Sequence, residues 1–154
     1  MDTLQKPGDV KVAQGSGMEL PVFDDVKMAA IRIAGKAFRT PTIESAALND
    51  RLGGRVLIKP ECLQRTGSFK FRGAYNRISQ LGNDAKDGGV VAFSSGNHAQ
   101  GVAAAAQLKN VPALIVMPQD TPQIKVENTK GFGADIVFYD RASEDREKIA
   151  KKIA

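Results

Sequence analysis

The sequence predicts an α/β protein, a parallel sheet with flanking helices laid down as βαβ repeats. Three short, continuously apolar runs occur at 90–93, 113–117 and 136–139. Stretches with helical spacing of apolar residues lie between them. Glycine or proline marks the changes of pattern, at Gly88-Gly89, Pro118, Gly131 and Gly133. Strands that are apolar on both sides and alternate with helices belong in a parallel sheet covered on both faces. The connections are then right-handed crossovers, and ligands bind beyond the carboxyl ends of the strands.

Residues 1–20 carry few large apolar groups and include Pro7, Gly8, Gly15 and Gly17, so they are expected to form a disordered arm. Met18 is a candidate native start. Asp24 or Asp25 is expected to cap a helix in which Val26, Ala29, Ala30, Ile33, Ala34 and Ala37 recur at helical spacing, stopped by Thr40-Pro41. A short helix follows over 45–52, closed by Gly53-Gly54. Val56-Leu57-Ile58 is a brief β-type run. A helix over 71–81 has Phe71, Ala74, Tyr75, Ile78 and Leu81 on one face and Ser68 as its N-cap. Helices are predicted at 97–108 and 123–130. Ser143 is expected to cap a last helix in which Ile149 and Ile153 keep helical phase to residue 154, with no strand to receive it.

Composition excludes several classes. A chain of 154 residues with 42% hydrophobic and 25% charged content suits one domain with a sizeable core. The formal net charge is +5, but Lys and Arg are interleaved with Asp and Glu, so no nucleic-acid partner is expected. The single cysteine, Cys62, rules out an internal disulfide. Together with the lack of a signal-like apolar segment, this points to a cytoplasmic protein. No run approaches the ~20 apolar residues of a membrane span, so no membrane partner is expected. One histidine and one cysteine without paired spacing give no metal site.

Two stretches carry chemistry. In Thr66-Gly-Ser-Phe-Lys-Phe-Arg-Gly-Ala74, Lys70 falls in the first turn of a helix. The positive potential there disfavours a cation and favours a neutral, nucleophilic amine. Gly67 and Gly73 allow close approach to a cofactor, and Phe69 can pack against a flat ring. On spacing alone, Lys70 is equally a surface lysine beside a core phenylalanine. The second stretch, Ser94-Ser-Gly-Asn-His-Ala-Gln-Gly101, follows a strand and opens a helix. Its hydroxyls and backbone N–H groups make an anion site suited to a carboxylate, with Asn97 able to donate to a phenolic oxygen. A routine strand-to-helix turn with Asn97 as N-cap fits as well. Gly96 and Gly101 have P-loop spacing, but Val102-Ala103 stands where Lys and Ser/Thr are needed, and no dinucleotide-binding glycine pattern occurs.

Residues 59–74, Lys-Pro-Glu-Cys-Leu-Gln-Arg-Thr-Gly-Ser-Phe-Lys-Phe-Arg-Gly-Ala, closely resemble the cofactor-lysine segment of the serine/threonine dehydratases and serine racemases. These are pyridoxal-phosphate enzymes of the tryptophan-synthase-β fold type. Residues 94–101 resemble the same family's asparagine loop. Leu114-Ile-Val-Met-Pro118 and Lys130-Gly-Phe-Gly-Ala134 resemble its later strand and turn, and the likeness runs from about Asp24 to the last residue. The resemblance implies that Lys70 holds pyridoxal 5'-phosphate as a Schiff base and moves the substrate's α-proton. It implies that Phe69 packs on the pyridine ring and that Asn97 bonds its hydroxyl. Ser94, Gly96, Asn97 and His98 would receive the substrate carboxylate. Ser95 stands where racemase-like members carry serine, a position from which the opposite face can be reprotonated.

The implied activity is a threonine/serine ammonia-lyase that converts L-threonine or L-serine to a 2-oxo acid and ammonia. Serine racemase or a β-replacement enzyme of the same fold is the alternative, as is a non-catalytic remnant that binds a partner subunit. Homo-oligomers are compatible with all of these. By the resemblance, 21–65 is the N-terminal part of the family's large domain and 66–154 its small domain. The C-terminal half, with the glycine-rich loop for the cofactor phosphate, has no counterpart. The only double glycines are Gly53-Gly54 and Gly88-Gly89. A truncated form with weak or no activity is therefore expected.

Overall fold

The computed structural model describes residues 20–154. The predicted arm, apart from Leu20, and the candidate start at Met18 lie outside the described residues. Helix α1 spans Phe23–Ile33. Strands β1 (Ile43–Glu44) and β2 (Leu57–Ile58) form a small antiparallel ladder around α2 (Ala46–Leu52). Two single 3-10 turns, Glu61–Leu63 and Arg65–Gly67, lead to α3 (Lys70–Ile78) and the five-residue α4 (Asp84–Gly88). Then come β3 (Val90–Phe93), α5 (Asn97–Lys109), β4 (Ala113–Pro118), α6 (Gln123–Gly131), β5 (Asp135–Tyr139) and α7 (Arg146–Ile153).

The second sheet is parallel, in the order β3-β4-β5. Val90 pairs with Ala113, and Ile115 with Ile136. The predicted α/β architecture is therefore the observed one. Side chains of the central strand β4 alternate between two cores. Ile115 and Met117 join Phe71, Ala74, Tyr75 and Ile78 of α3 and the alanine run of α5. Val116 joins Tyr139 of β5 and Ala150 of α7 on the other face, with Leu114 packed against them. Coverage is less complete than expected at β5, an edge strand whose Val137 and Phe138 remain open.

Several predicted boundaries need correction. Neither Asp24 nor Asp25 is the N-cap of α1. The helix starts at Phe23, and the Asp25 carboxylate instead accepts the Val22 N–H at 2.8 Å. The helix also ends at Ile33, before Ala37, where Gly35 adopts a left-handed φ of 68°. Ser45 does cap α2, and Gly53 closes it in the left-handed conformation. Ser68 makes no capping bond, because its hydroxyl is buried without a partner. Asn97 lies inside α5, after Gly96. Asp145 rather than Ser143 caps α7, accepting from the N–H groups of Glu147 and Lys148. The Ser143 hydroxyl is instead spent on the Asp140 carboxylate, earlier in the same loop. Strand β1 and helix α4, both very short, carried no readable periodicity.

Candidate functional site

Lys70 is the first residue of α3, as predicted, and its ammonium lies 5.0 Å from the centre of the Phe69 ring. Phe69 is 59% exposed, so that ring is open to a ligand. The backbone feeding Lys70 is unusual. Thr66 and Gly67 both have left-handed φ, 62° and 68°, which for a threonine is strained. The Thr66 and Ser68 hydroxyls are both buried without hydrogen-bond partners.

Polar anchors hold this turn in place. The buried Gln64 amide bonds the N–H and the C=O of Phe38, both at 2.8 Å. Arg72, in the first turn of α3, grips the Glu61 carboxylate with two nitrogens at 2.6 and 2.8 Å. Glu61 also accepts the Thr40 hydroxyl at 2.6 Å, and Lys59 donates to the same hydroxyl and to the Thr40 carbonyl. Sequence reasoning passed over Gln64, Glu61 and Arg72. Each is an ordinary polar residue until Phe38 and Thr40, more than 20 positions away, come into contact.

The second stretch forms the turn from β3 into α5. Ser94 extends the ladder by donating its N–H to the Val116 carbonyl at 3.1 Å, and its hydroxyl accepts weakly from the Gly96 N–H at 3.3 Å. The Ser95 hydroxyl and the Asn97 and His98 side chains have no hydrogen-bond partner among the described residues. The N–H groups of Asn97, His98 and Ala99 are free in the same sense, as the first turn of a helix requires, and so is that of Ser95 just before the helix. They leave an electropositive cradle.

The two stretches meet. A Cβ on Gly101, one turn into α5, would lie 3.1 Å from the carbonyl carbon of Lys70 and the nitrogen of Phe71. Glycine there lets α5 press onto the first turn of α3. His98 registers the same proximity: burial pushes its imidazole below the usual value, and the charge of Lys70 adds to the effect. The Lys70 amino group, an open aromatic face and a set of unspent N–H donors therefore share one end of the α3–α5 pair. This suits a flat, anionic carbonyl cofactor and a carboxylate. No helix among the described residues is long and apolar enough to cross a membrane.

Known proteins resemble this chain in sequence and in fold. A protein 54% identical over 137 residues is the L-threo-3-hydroxyaspartate ammonia-lyase of a Pseudomonas species; the match covers 89% of this chain and 43% of that protein. The structure of maize serine racemase superimposes with a TM-score of 0.79 at 42% identity, over 84% of this chain and 40% of that one. The threonine deaminase of T.th. gives 0.74 at 46% identity, over 86% and 42%. The chain thus spans about two-fifths of the length of these relatives and shares their tryptophan-synthase-β-like fold. A family model described as pyridoxal-phosphate dependent enzyme matches residues 33–154, from the end of α1 through both halves of the Lys70 site, and the chain belongs to that family.

Proposed function

We propose that this protein is an ammonia-lyase acting on a β-hydroxy-α-amino acid, L-threonine or L-serine. L-threo-3-hydroxyaspartate belongs to the same class and differs only in its Cβ substituent. The observation that carries the reading is the packing of the Lys70 turn against the first turn of α5 through Gly101. Pyridoxal phosphate, when bound, supplies the electron sink that acidifies the substrate's Cα–H. Lys70 is the amine that holds it, with Phe69 and Asn97 beside it.

This chain's residues do the rest. The α-carboxylate lies on the free N–H groups of the 94–98 turn, with the Ser94 hydroxyl, Gly96, Asn97 and His98 around it. Held there, the substrate presents its α-hydrogen to one face, which fixes the bond that breaks. The Lys70 amine takes that proton, and the β-hydroxyl leaves with a proton as water. The released enamine hydrolyses to a 2-oxo acid and ammonia. Partial burial and the charge of Lys70 both lower the His98 imidazole, which disfavours a second cation beside Lys70. Residues 66–154 act as the small domain, and 21–65 belong with the large one.

Serine racemisation is the second reading, favoured by the unengaged, half-buried hydroxyl of Ser95 in the same turn. A proton returned from that side to Cα would invert the substrate instead of eliminating water. Mixing the chain with pyridoxal phosphate tests the shared step. A visible Schiff-base absorption band is expected in the wild type and not in Lys70→Ala. Equal spectra for the two would remove Lys70 from the role. Ser95→Ala is expected to suppress inversion of L-serine and to spare elimination.

A further inference from the structure

Lys125 projects from the first turn of α6 into the turn that receives the carboxylate. A Cβ on Gly96 would lie 3.3 Å from its Nζ and within 4.0 Å of its Cδ and Cε. A side chain at 96 would crowd the ammonium. Among the described residues Lys125 has no carboxylate within 4.0 Å, and neither does Lys70. Both lysines stand in the first turn of a helix, where the dipole disfavours a cation. With Lys70 committed to the cofactor, Lys125 is a cation in addition to the free N–H donors that already receive one carboxylate.

We infer that Lys125 is a specificity-determining residue that takes a second carboxylate, carried on Cβ of the substrate, so that the preferred substrate is a β-hydroxy dicarboxylic amino acid. This rests on the carboxylate-binding role proposed for the 94–98 turn and narrows its substrate class. L-Threonine and L-threo-3-hydroxyaspartate are the matched probes, because one carries a methyl group where the other carries a carboxylate. The cofactor-free chain is titrated with each, following the backbone amide resonances of residues 94–98. The wild type is expected to bind 3-hydroxyaspartate roughly tenfold more tightly than threonine, the size of one charge-assisted contact. Lys125→Met should bring the two affinities together by weakening 3-hydroxyaspartate alone, and Lys125→Arg should restore the gap. Equal weakening of both ligands, or an undiminished gap in Lys125→Met, overturns the inference and leaves the carboxylate role of the turn standing. If neither ligand shifts these amides in the wild type, that role falls and the inference falls with it.

Discussion

Glu61 decides how firmly the Lys70 turn is tied down. Its carboxyl is lowered to about 2, first by the Arg72 hydrogen bonds, against an opposing effect of burial, and further by Thr40 and the charges of Arg72 and Lys59. A folded-state value below the unfolded one means a contribution that is present above pH ~4.5 and lost as the pH falls toward 2. The full shift corresponds to ~3 kcal/mol, and solvent screening reduces this to about 1 kcal/mol. Glu61→Gln is therefore expected to lower the urea midpoint at pH 7, with the gap to wild type narrowing by pH 3. His98 gives a second titration. Its lowered value means that the neutral ring stabilises the fold above the ordinary midpoint of ~6.5, and that this is lost as the pH falls below it. An NMR titration should place its midpoint below that value. Lys70→Ala should raise the midpoint only part of the way, because burial, the larger cause, remains.

At the level of elements, Gly101 and Asp145 are the sensitive positions. A methyl at 101 meets backbone atoms of Lys70 and Phe71, which cannot swing aside as a side-chain tip can. Gly101→Ala should therefore cost about 1–3 kcal/mol by overpacking. It should also blunt the Schiff-base band with pyridoxal phosphate, because α5 would stand off the Lys70 turn. Asp145→Ala should lower the urea midpoint through loss of the α7 cap, without touching that band. The strands of the parallel sheet were legible because each is a short apolar run between glycine or proline signals. The faces of α3 and α5 were legible because Phe71, Ala74, Tyr75 and Ile78 keep helical phase. Caps were less so, since Ser68, Ser143 and Asp145 look alike until geometry decides whose oxygen reaches a free N–H. Lys70 and the 94–98 turn could be named from their motifs. The clasp of Gln64 and Glu61 on Phe38 and Thr40 could not, because contacts between distant residues leave no local periodicity. Lys125 reads in sequence as one more surface lysine of α6.

Across the whole molecule, apolar side chains gather on the surface of the first elements. Phe23 is 73% exposed and Ile31 67%, and Val26 and Leu52 are more than half exposed. Exposed apolar area on this scale promotes association. Sedimentation of the chain should show concentration-dependent self-association that the double change Phe23→Ser, Ile31→Ser reduces, with no loss of the urea midpoint, since neither side chain is packed in either core. The parallel order β3-β4-β5 has a kinetic consequence. No strand in that sheet can pair with its neighbour through a tight turn; each must wait for an intervening helix to be laid across it. Such non-local closures slow folding. Lys70 lies before the first of these crossovers and the 94–98 turn lies at its start, so the amine and the anion cradle come together only as α5 docks. Refolding followed by far-ultraviolet circular dichroism should recover helix signal before the chain regains its Schiff-base band with pyridoxal phosphate. The delay measures how late in folding the chemistry becomes possible.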